Sequence, residues 1–133
     1  MTTDKKRPTV IIADDHAAIH PLLRRILEPE LEVLESVFDG RALLDATSRL
    51  HPDLIIVDVA MPVLDGIEAV SRLRECSSQA AVVFISTDEA EENIQRVLRT
   101  GSVVFVRKAS AAEHLLFAAR AALKGQGFVS GVS

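Results

Sequence analysis

Acidic, hydroxyl and amine side chains follow continuous apolar runs at four places in this 133-residue sequence. Asp14 and Asp15 follow the first run, Asp58 the second, Ser86 the third and Lys108 the fourth. An ionised carboxylate beside an apolar core is unfavourable without a partner, so each acid needs a reason to be there. Together the five groups are suited to holding a divalent cation and a phosphate.

The three carboxylates are the part of this set that calls for a metal. Two unit charges about 4 Å apart repel by about 4 kcal/mol at an effective dielectric constant near 20. A cluster of Asp14, Asp15 and Asp58 is therefore expected to bind a cation, and an open site of oxygen atoms favours Mg²⁺. Lys108 and Ser86 would supply a positive charge and a hydrogen-bond donor to a phosphate. We predict that Asp58 is a carboxylate nucleophile that forms an aspartyl phosphate.

Each of these residues also has an ordinary structural interpretation. Asp14 and Asp15 could cap the N-terminus of a helix, and Asp58 could begin a turn. Ser86 could cap a helix, and Lys108 could be a solvated surface lysine. The interpretation as one site is favoured because the groups follow four separate apolar runs.

The rest of the sequence alternates between apolar runs and helical patterns, which indicates the elements that would position these groups. Strands are predicted at Val10–Ala13, Leu31–Phe38, Leu54–Asp58, Ala81–Ile85 and Val103–Val106. Helices are predicted near Pro21, at about Gly40–Leu50, from Asp65, from Asp88 to Gly101, and from Ser110 to about Lys124. This alternation predicts an α/β fold with a parallel sheet covered on both faces. The carboxyl ends of such strands share one edge, where open α/β folds bind ligands.

The predicted helix starts carry further local signals. Three share the spacing of a capping box: Asp65 with Glu68, Asp88 with Glu91, and Ser110 with Glu113. Pro21 fits only near the first turn of its helix, because a proline further along would remove a backbone hydrogen bond. His16 and His20 have the four-residue spacing of a metal-binding pair, but no third ligand is evident. We therefore predict that His16 lies at a helix start and His20 at the surface.

Composition limits the classes of function. The chain is long enough for one domain with its own core, and 48% of its residues are hydrophobic. The net charge of −4 argues against a large nucleic-acid footprint. Cys76 is the single cysteine, which excludes an intrachain disulfide and a cysteine-rich metal site. No apolar run is long enough for a signal peptide or a membrane span, so we predict a cytoplasmic protein.

Four short segments carry a resemblance that extends over nearly the whole chain. They are ADDH (13–16), VDVAMPVLDG (57–66), FIST (84–87) and FVRK (105–108). In this order and spacing they resemble a response-regulator receiver domain of two-component signalling. DDH together with VRKAS is most similar to receivers of LuxR-type helix-turn-helix regulators. The resemblance divides the chain into an N-terminal extension (1–8), a receiver domain (9–124) and a tail or the start of a linker (125–133).

The resemblance implies a flavodoxin-like, doubly wound (βα)₅ fold with five parallel strands in the order 2-1-3-4-5. It implies the following roles: Asp58 as phospho-acceptor, Asp15 as a direct and Asp14 as a water-mediated Mg²⁺ ligand, Ala60 as a backbone-carbonyl ligand, and Ser86 and Lys108 as phosphoryl contacts. Phe105 matches the aromatic switch position of the family. The phosphoryl donor would be a histidine kinase or a phosphotransfer protein. Such a chain would catalyse its own phosphorylation and dephosphorylation without being an enzyme.

Three departures from the family pattern lie close to these residues. Thr87 stands where the family usually has alanine, and Val104 stands where a small residue is common. Ala109 follows Lys108 where many receivers have proline, so a cis peptide bond is not assured there. None of the three removes a catalytic group.

Two other classes of function remain open from the sequence. A Mg²⁺-dependent hydrolase with an aspartyl intermediate usually has a second acid two residues after its nucleophile, and Ala60 occupies that position. A receiver-like interaction module that works without phosphorylation would not need Asp15, Asp58, Ser86 and Lys108. The leading hypothesis is a phosphorylation-driven switch that controls an output domain or a partner, with transcription as the expected output. A homodimer could form through the fourth helix, fifth strand and fifth helix, or through the Ala-rich fifth helix alone. The isolated chain is not expected to bind DNA.

Overall fold

The computed structural model describes residues 7–76, 78–87, 95–97, 99 and 104–129. Its strands are β1 (Thr9–Ala13), β2 (Glu32–Val37), β3 (Leu54–Asp58), β4 (Ala81–Ser86), β5 (Val104–Arg107) and β6 (Phe128–Val129). The helices with described bounds are α1 (Ile19–Leu27), α2 (Gly40–Leu50), α3 (Gly66–Glu75) and α4 (Ala111–Leu123), with a 3₁₀ turn at Lys108–Ser110. Residues 95–97 and 99 are also helical.

The strands form one sheet in the order β2-β1-β3-β4-β5-β6, and all neighbouring pairs are parallel. The predicted α/β fold with the strand order 2-1-3-4-5 is therefore confirmed. The two-residue strand β6 adds to the outer edge of β5, within the segment that the sequence predicts to be a tail or linker. Such a short strand between glycines has no periodicity that could reveal it.

Alternation along the strands divides the core into two layers. In β3, Ile55 and Val57 pack with α2 and α3 on one face of the sheet. Leu54 and Ile56 pack with α1 and α4 on the other face. Successive side chains of a strand point to opposite faces, and both faces are covered here. A strand in this position must be apolar throughout, which is why Asp58 at its end is conspicuous.

The helix starts agree with the sequence in part. Asp65 caps α3, because its side chain accepts a hydrogen bond of 2.8 Å from the backbone N–H of Glu68. Pro21 lies in the first turn of α1, as predicted. Ser110 directly precedes α4 in the N-cap position, as predicted, but its side chain makes no capping hydrogen bond and the residue belongs to the 3₁₀ turn. Other predicted positions lie outside the described residues: Asp88, Glu91, Gly101 and Val103.

Helix α1 differs from the prediction at His20. It buries His20, Leu23 and Leu27 against the sheet, whereas Leu22 is 46% exposed. The prediction that His20 lies at the surface is therefore wrong. Its ring nitrogen Nε2 lies 2.7 Å from the backbone carbonyl oxygen of Asp14, which gives the buried imidazole a polar partner. The ring also packs against Phe38 with a centroid distance of 4.8 Å.

The helices in the described part of the chain are short or polar. None of them has the length and apolar character needed to cross a lipid bilayer. The described residues also contain no cis peptide bond.

Candidate functional site

The register of the central strands brings the predicted acids together. Ala13 of β1 pairs with Val57 of β3, so the next residues of the two strands, Asp14 and Asp58, emerge side by side at the carboxyl edge of the sheet. Asp58 pairs in turn with Ile85 of β4. The side chains of Asp14 and Asp58 are almost completely buried, with 0% and 3% exposure.

Lys108 is the centre of this cluster. Its ammonium lies 2.7 Å from Oδ2 of Asp14 and 2.8 Å from Oδ2 of Asp58. The lysine begins the 3₁₀ turn after β5, so its position depends on the end of that strand. An ammonium between two buried carboxylates offsets part of their mutual repulsion. The structural interpretation of Lys108 as a solvated lysine is therefore excluded.

His16 also belongs to the cluster, which the sequence did not predict. Its Nδ1 lies 3.0 Å from Oδ1 of Asp14, 3.3 Å from Oδ1 of Asp15 and 3.8 Å from Oδ2 of Asp58. The same nitrogen lies 3.1 Å from the ammonium of Lys108. The signal in the sequence is its place directly after the two acids, but the same place also fits a residue at a helix start, which is the role predicted for His16.

The buried charges shift each other's pKa values. Burial raises the pKa of Asp58, and the negative charge of Asp14 raises it further against the hydrogen bond from Lys108. Burial also acts to raise the pKa of Asp14, but hydrogen bonds from Lys108 and His16 outweigh it and lower that pKa. Burial lowers the pKa of Lys108, whereas its bonds to the two carboxylates raise it by more. The surroundings therefore disfavour the ionised form of Asp58 and favour that of Asp14, so the two buried carboxylates have pKa values shifted in opposite directions.

The backbone around Asp58 is held from two sides. The backbone N–H of Ala60 donates a hydrogen bond of 3.2 Å to Oδ1 of Asp58. The backbone N–H of Gly66, the first residue of α3, donates one of 2.9 Å to the carbonyl oxygen of Val59. A Cβ atom at Gly66 would clash with the carbonyl oxygen of Asp58, so only glycine allows this approach. The start of α3 therefore fixes the main chain that carries Asp58.

The loop between Asp58 and α3 contains a strained turn. Val63 has a φ of 71°, and the backbone N–H of Leu64 donates a hydrogen bond of 2.7 Å to the carbonyl oxygen of Pro62. This bond closes a three-residue turn whose central residue is in a conformation that L-residues rarely adopt. Val63 is 79% exposed, so packing of its side chain does not stabilise the turn. Strain of this kind concentrates at functional sites.

The donor set fits a divalent cation. One ligand atom each from Asp14, Asp15, His16 and Asp58 lie within 4.8 Å of one another. Oδ2 of Asp14 is buried, with the ammonium of Lys108 2.7 Å away. Carboxylate oxygens at an open edge are ligands that Mg²⁺ accepts, usually together with several water molecules.

The remaining residues predicted for the site are Ser86, Phe105 and Ala60, and they lie on or next to the strands β3, β4 and β5. Ser86 ends β4 and is 2% exposed. Phe105 of β5 is 1% exposed, pairs with Phe84 of β4 and packs in the core layer of α2 and α3. The carbonyl of Ala60 stays a predicted metal ligand. Thr87 follows β4 and is exposed.

The arrangement agrees with a comparison of the chain with known families. The family model for the response regulator receiver domain matches residues 10–120. The chain belongs to this family. Receiver domains act in two-component signalling, and their phosphorylation takes place on the receiver itself.

Individual receivers show the same relationship. The receiver is 30% identical over 99 residues to the chemotaxis protein CheY of Halobacterium salinarum, which covers 74% of this chain and 82% of CheY. It is 30% identical over 122 residues to the transcriptional regulatory protein DegU of Brevibacillus brevis, which covers 90% of this chain and 52% of DegU. This receiver therefore spans about half the length of DegU.

A solved structure extends the comparison to the fold. The isolated receiver domain of RcsB from Salmonella enterica serovar Typhimurium, solved with the phosphomimetic BeF₃⁻, matches with a TM-score of 0.85 at 25% sequence identity. The match covers 95% of each chain. RcsB is among the LuxR-family regulators, so the predicted similarity to receivers of that type is confirmed.

Proposed function

We propose that this receiver is a phosphorylation-activated switch that accepts a phosphoryl group on Asp58. The observation that carries the proposal is the buried pair of Asp58 and Lys108, whose charged atoms lie 2.8 Å apart at the carboxyl edge of the sheet. Burial raises the pKa of Asp58 and so disfavours its ionised form, and perturbed carboxylates of this kind are common at reactive sites. Lys108 can then exchange its contact with Asp58 for a contact with a phosphoryl oxygen, because phosphorylation removes the negative charge of the Asp58 carboxylate.

Each side chain of the site has a role in the proposed transfer. An oxygen of Asp58 forms the new bond to phosphorus while the bond from phosphorus to the donor nitrogen of a phosphohistidine breaks. Lys108 neutralises charge on the phosphoryl oxygens, and the hydroxyl of Ser86 donates a hydrogen bond to one of them. No side chain needs to change its oxidation state, and the donor histidine leaves with its electron pair.

Mg²⁺ is the cofactor of this proposal. Asp15 would hold it directly, Asp14 mainly through water, and Asp58 and the carbonyl of Ala60 would complete the protein ligands. When bound, the ion neutralises charge on the transferring phosphoryl group. The residues supply the selectivity for a small, hard cation because most of their donors are oxygens.

The switch would connect Ser86 with Phe105. Movement of the hydroxyl of Ser86 towards a phosphate leaves space beside β4, and a core tolerates empty space poorly. The ring of Phe105 on the neighbouring strand would swing inward to fill that space. It is already buried in this structure, so phosphate would stabilise the inward position that the ring has here, and the alternative is that Phe105 is a fixed core residue. Binding of phosphate would thereby favour one arrangement of the surface around β5 and α4.

Partners and output are part of the same proposal. The receiver would act in the cytoplasm, where a histidine kinase or a phosphotransfer protein would supply the phosphoryl group. Relatives such as DegU support a transcriptional output, controlled either by an output domain or by a partner. A homodimer would use the helix predicted at Asp88–Gly101 together with β5 and α4, and Phe117 on α4 is 59% exposed. The other predicted dimer surface, the Ala-rich side of α4, is disfavoured because Ala118, Ala119 and Ala121 are buried within the domain. The domain limits 9–124 would enclose every residue of the switch.

Mass spectrometry tests the proposal directly. The protein is incubated with acetyl phosphate and Mg²⁺, and the parent is expected to gain one phosphate while Asp58→Asn gains none. Asp45→Asn is the matched control, because Asp45 is an exposed aspartate of α2 that forms an ion pair with Arg49 and lies outside the charge cluster. Labelling of Asp58→Asn to the same extent as the parent would refute the assignment.

A second measurement tests the metal. Asp15→Ala is expected to abolish Mg²⁺ binding and to slow labelling of Asp58, because Asp15 has the most accessible carboxylate of the cluster. A calorimetric titration of the variant with Mg²⁺ that matches the parent would show that the cation binds elsewhere.

A further inference from the structure

The outer edge of β5 is covered by the segment that follows α4. Strand β6 runs parallel to β5, with Val104 paired with Phe128 and Phe105 paired with Val129. A strand at the edge of a sheet presents unpaired N–H and C=O groups to any chain that approaches it. In this receiver a piece of the same chain occupies that edge of β5. The residue predicted as the switch, Phe105, is one of the two residues of β5 that pair with it.

The end of α4 directs the chain onto this edge. The backbone N–H of Gly125 donates a hydrogen bond of 3.0 Å to the carbonyl oxygen of Ala122, and that of Gln126 donates one of 2.8 Å to the carbonyl oxygen of Ala121. Gly125 has a φ of 75°, the left-handed conformation with which glycine commonly ends a helix. The chain therefore turns back at the end of α4 and reaches β5 after residues 126 and 127.

Strand β6 is short, and its connection to α4 lies in solvent. The strand has two residues, and residues 124–127 before it are exposed. Segments with few backbone hydrogen bonds and exposed connections open more readily than the central strands of a sheet. Pairing of β6 is therefore an equilibrium between a closed and an open state, and the rest of the sheet does not have to unfold for β6 to leave.

A second copy of the receiver needs the same edge. The homodimer of the proposed function would use β5 and α4, and β6 is the outer neighbour of β5 in the sheet. Two segments cannot occupy one edge at the same time, so pairing of β6 and association through β5 exclude each other. The apparent affinity of the dimer then falls by the open fraction of each copy. An open fraction of about one tenth would weaken the dimer about a hundredfold, because both copies have to open.

We propose that β6 is an autoinhibitory cover that keeps the edge of β5 from a second receiver. The inference rests on the homodimer of the proposed function and adds the segment that controls it. Phosphorylation would favour the dimer by loosening β6, because a change at Phe105 would reach Val129 through the pairing of the two strands. The cover itself belongs to the unphosphorylated receiver and uses no group of the charge cluster.

A reversible cross-link between β5 and β6 tests the proposal in the full chain. Val104→Cys with Phe128→Cys places two thiols at a paired position, and neighbouring strands lie about 4.8 Å apart, which suits a disulfide. Cys76→Ser is added because Cys76 is an exposed free thiol. The oxidised protein is expected to stay monomeric in sedimentation equilibrium with Mg²⁺ and beryllofluoride, whereas the reduced protein is expected to dimerise as the parent does. Cys76→Ser alone, treated with the same oxidant and reductant, is the control.

A variant that cannot pair tests the opposite direction. Neighbouring residues of a strand direct their N–H groups to opposite sides, so Phe128→Pro with Val129→Pro removes the donor of β6 whichever residue supplies it. This variant is expected to dimerise at least about tenfold more tightly than the parent without any phosphate mimic. Equal dimer affinity in the parent, the proline variant and the oxidised protein would overturn the proposal. Failure of the two introduced thiols to cross-link, or monomers in every form, would overturn it too.

Labelling with acetyl phosphate and Mg²⁺ separates this inference from the proposed phospho-acceptor. Labelling of Asp58 together with a dimer that does not depend on the state of β6 would reject the cover and retain the phospho-acceptor. Absence of label on Asp58, in a protein whose proline variant dimerises more tightly than the parent and whose oxidised cross-linked form does not dimerise, would have the opposite meaning.

Discussion

Some residues of the site occupy positions that lower the folding stability of the protein. Asp58 is buried beside Asp14 with its pKa raised, and Val63 has a backbone conformation that suits glycine. Neither feature improves the packing of the core. Both are expected where a protein keeps a reactive group and a shaped loop at the cost of folding free energy.

Asp58→Asn is expected to stabilise the metal-free protein at neutral pH. The raised pKa of Asp58 means that its proton is lost from the unfolded chain at a lower pH than from the folded one, so the parent loses stability as pH rises through that interval. Above the folded pKa the loss is complete, and asparagine avoids it. Chemical unfolding in EDTA should show a gain of about 1 kcal/mol near pH 7.

The pH dependence is the control for this prediction. Below the usual pKa of an aspartate, Asp58 is neutral in both states, and the advantage of Asp58→Asn should disappear. An advantage of the same size at low and neutral pH would contradict burial of charge as its cause and indicate a difference in packing.

Val63→Gly is expected to stabilise the protein by about 1 kcal/mol. A positive φ costs an L-residue roughly 1 to 2 kcal/mol of folding free energy, and glycine removes this cost. The greater freedom of glycine in the unfolded chain lowers the net gain by about 0.5 to 1 kcal/mol. The side chain is 79% exposed, so little packing is lost. Thermal unfolding should show the gain, and Val63→Ala, which keeps Cβ, should show less than half of it. Equal gains would mean that the turn is not strained by Cβ.

At the scale of elements, three strand ends and one helix start make the site. The buried charge cluster takes one side chain from the end of each of three strands: Asp14 after β1, Asp58 at the end of β3 and Lys108 after β5. The start of α3 lies against the main chain of Asp58. An ion pair also joins the helical segment at 95–97 to the start of α3, with the guanidinium of Arg96 3.2 Å from Oδ2 of Asp65. The geometry of the site therefore depends on how closely these elements approach each other.

Gly66→Ala is expected to destabilise the protein by about 1 to 3 kcal/mol, since the new methyl group overlaps the carbonyl oxygen of Asp58 and the helix has to move. Labelling of Asp58 should fall as well, because its main chain shifts with α3. Urea unfolding and acetyl phosphate labelling check the two effects. Gly125→Asn is the control, because a Cβ there meets no atom within 4 Å and asparagine tolerates its φ of 75°. A loss below about 0.5 kcal/mol in Gly66→Ala would contradict the close approach.

At the scale of the whole molecule, the receiver has a single sheet with its chemistry confined to one edge. Helices cover both faces of this sheet, and the proposed switch would carry a change at the site through β4 and β5 to the surface around β5 and α4. The chain is acidic overall, with a net charge of −4. This charge opposes binding to a polyanion.

The isolated chain is expected not to bind DNA at low micromolar concentration. Binding to the phosphate backbone requires clustered cations that release counterions, and the acidic balance of this chain disfavours it. A gel-shift assay in low salt with and without acetyl phosphate checks the expectation. A shifted band that weakens as salt is added would contradict it in either condition.

Local pattern was sufficient for most of the architecture. The bounds of α2 and β3 agree with the predicted ones, because apolar periodicity and flanking proline or glycine are local properties of the chain. The convergence of Asp14, Asp58 and Lys108 also follows from the sequence. Parallel strands leave their carboxyl ends on one edge whatever the details of packing.

Contacts between distant segments could be known only from the tertiary structure. His16 joins the acids because its Nδ1 lies 3.0 Å from Oδ1 of Asp14, and His20 is buried because it lies on the same face of α1 as Leu23 and Leu27. The strand β6 exists because the edge of β5 is available for pairing. The sequence by itself therefore determined the elements, the sheet edge and the three charged groups that meet there. Only the tertiary structure decided which neighbours complete the site, because side-chain position and strand pairing depend on residues far apart in the chain.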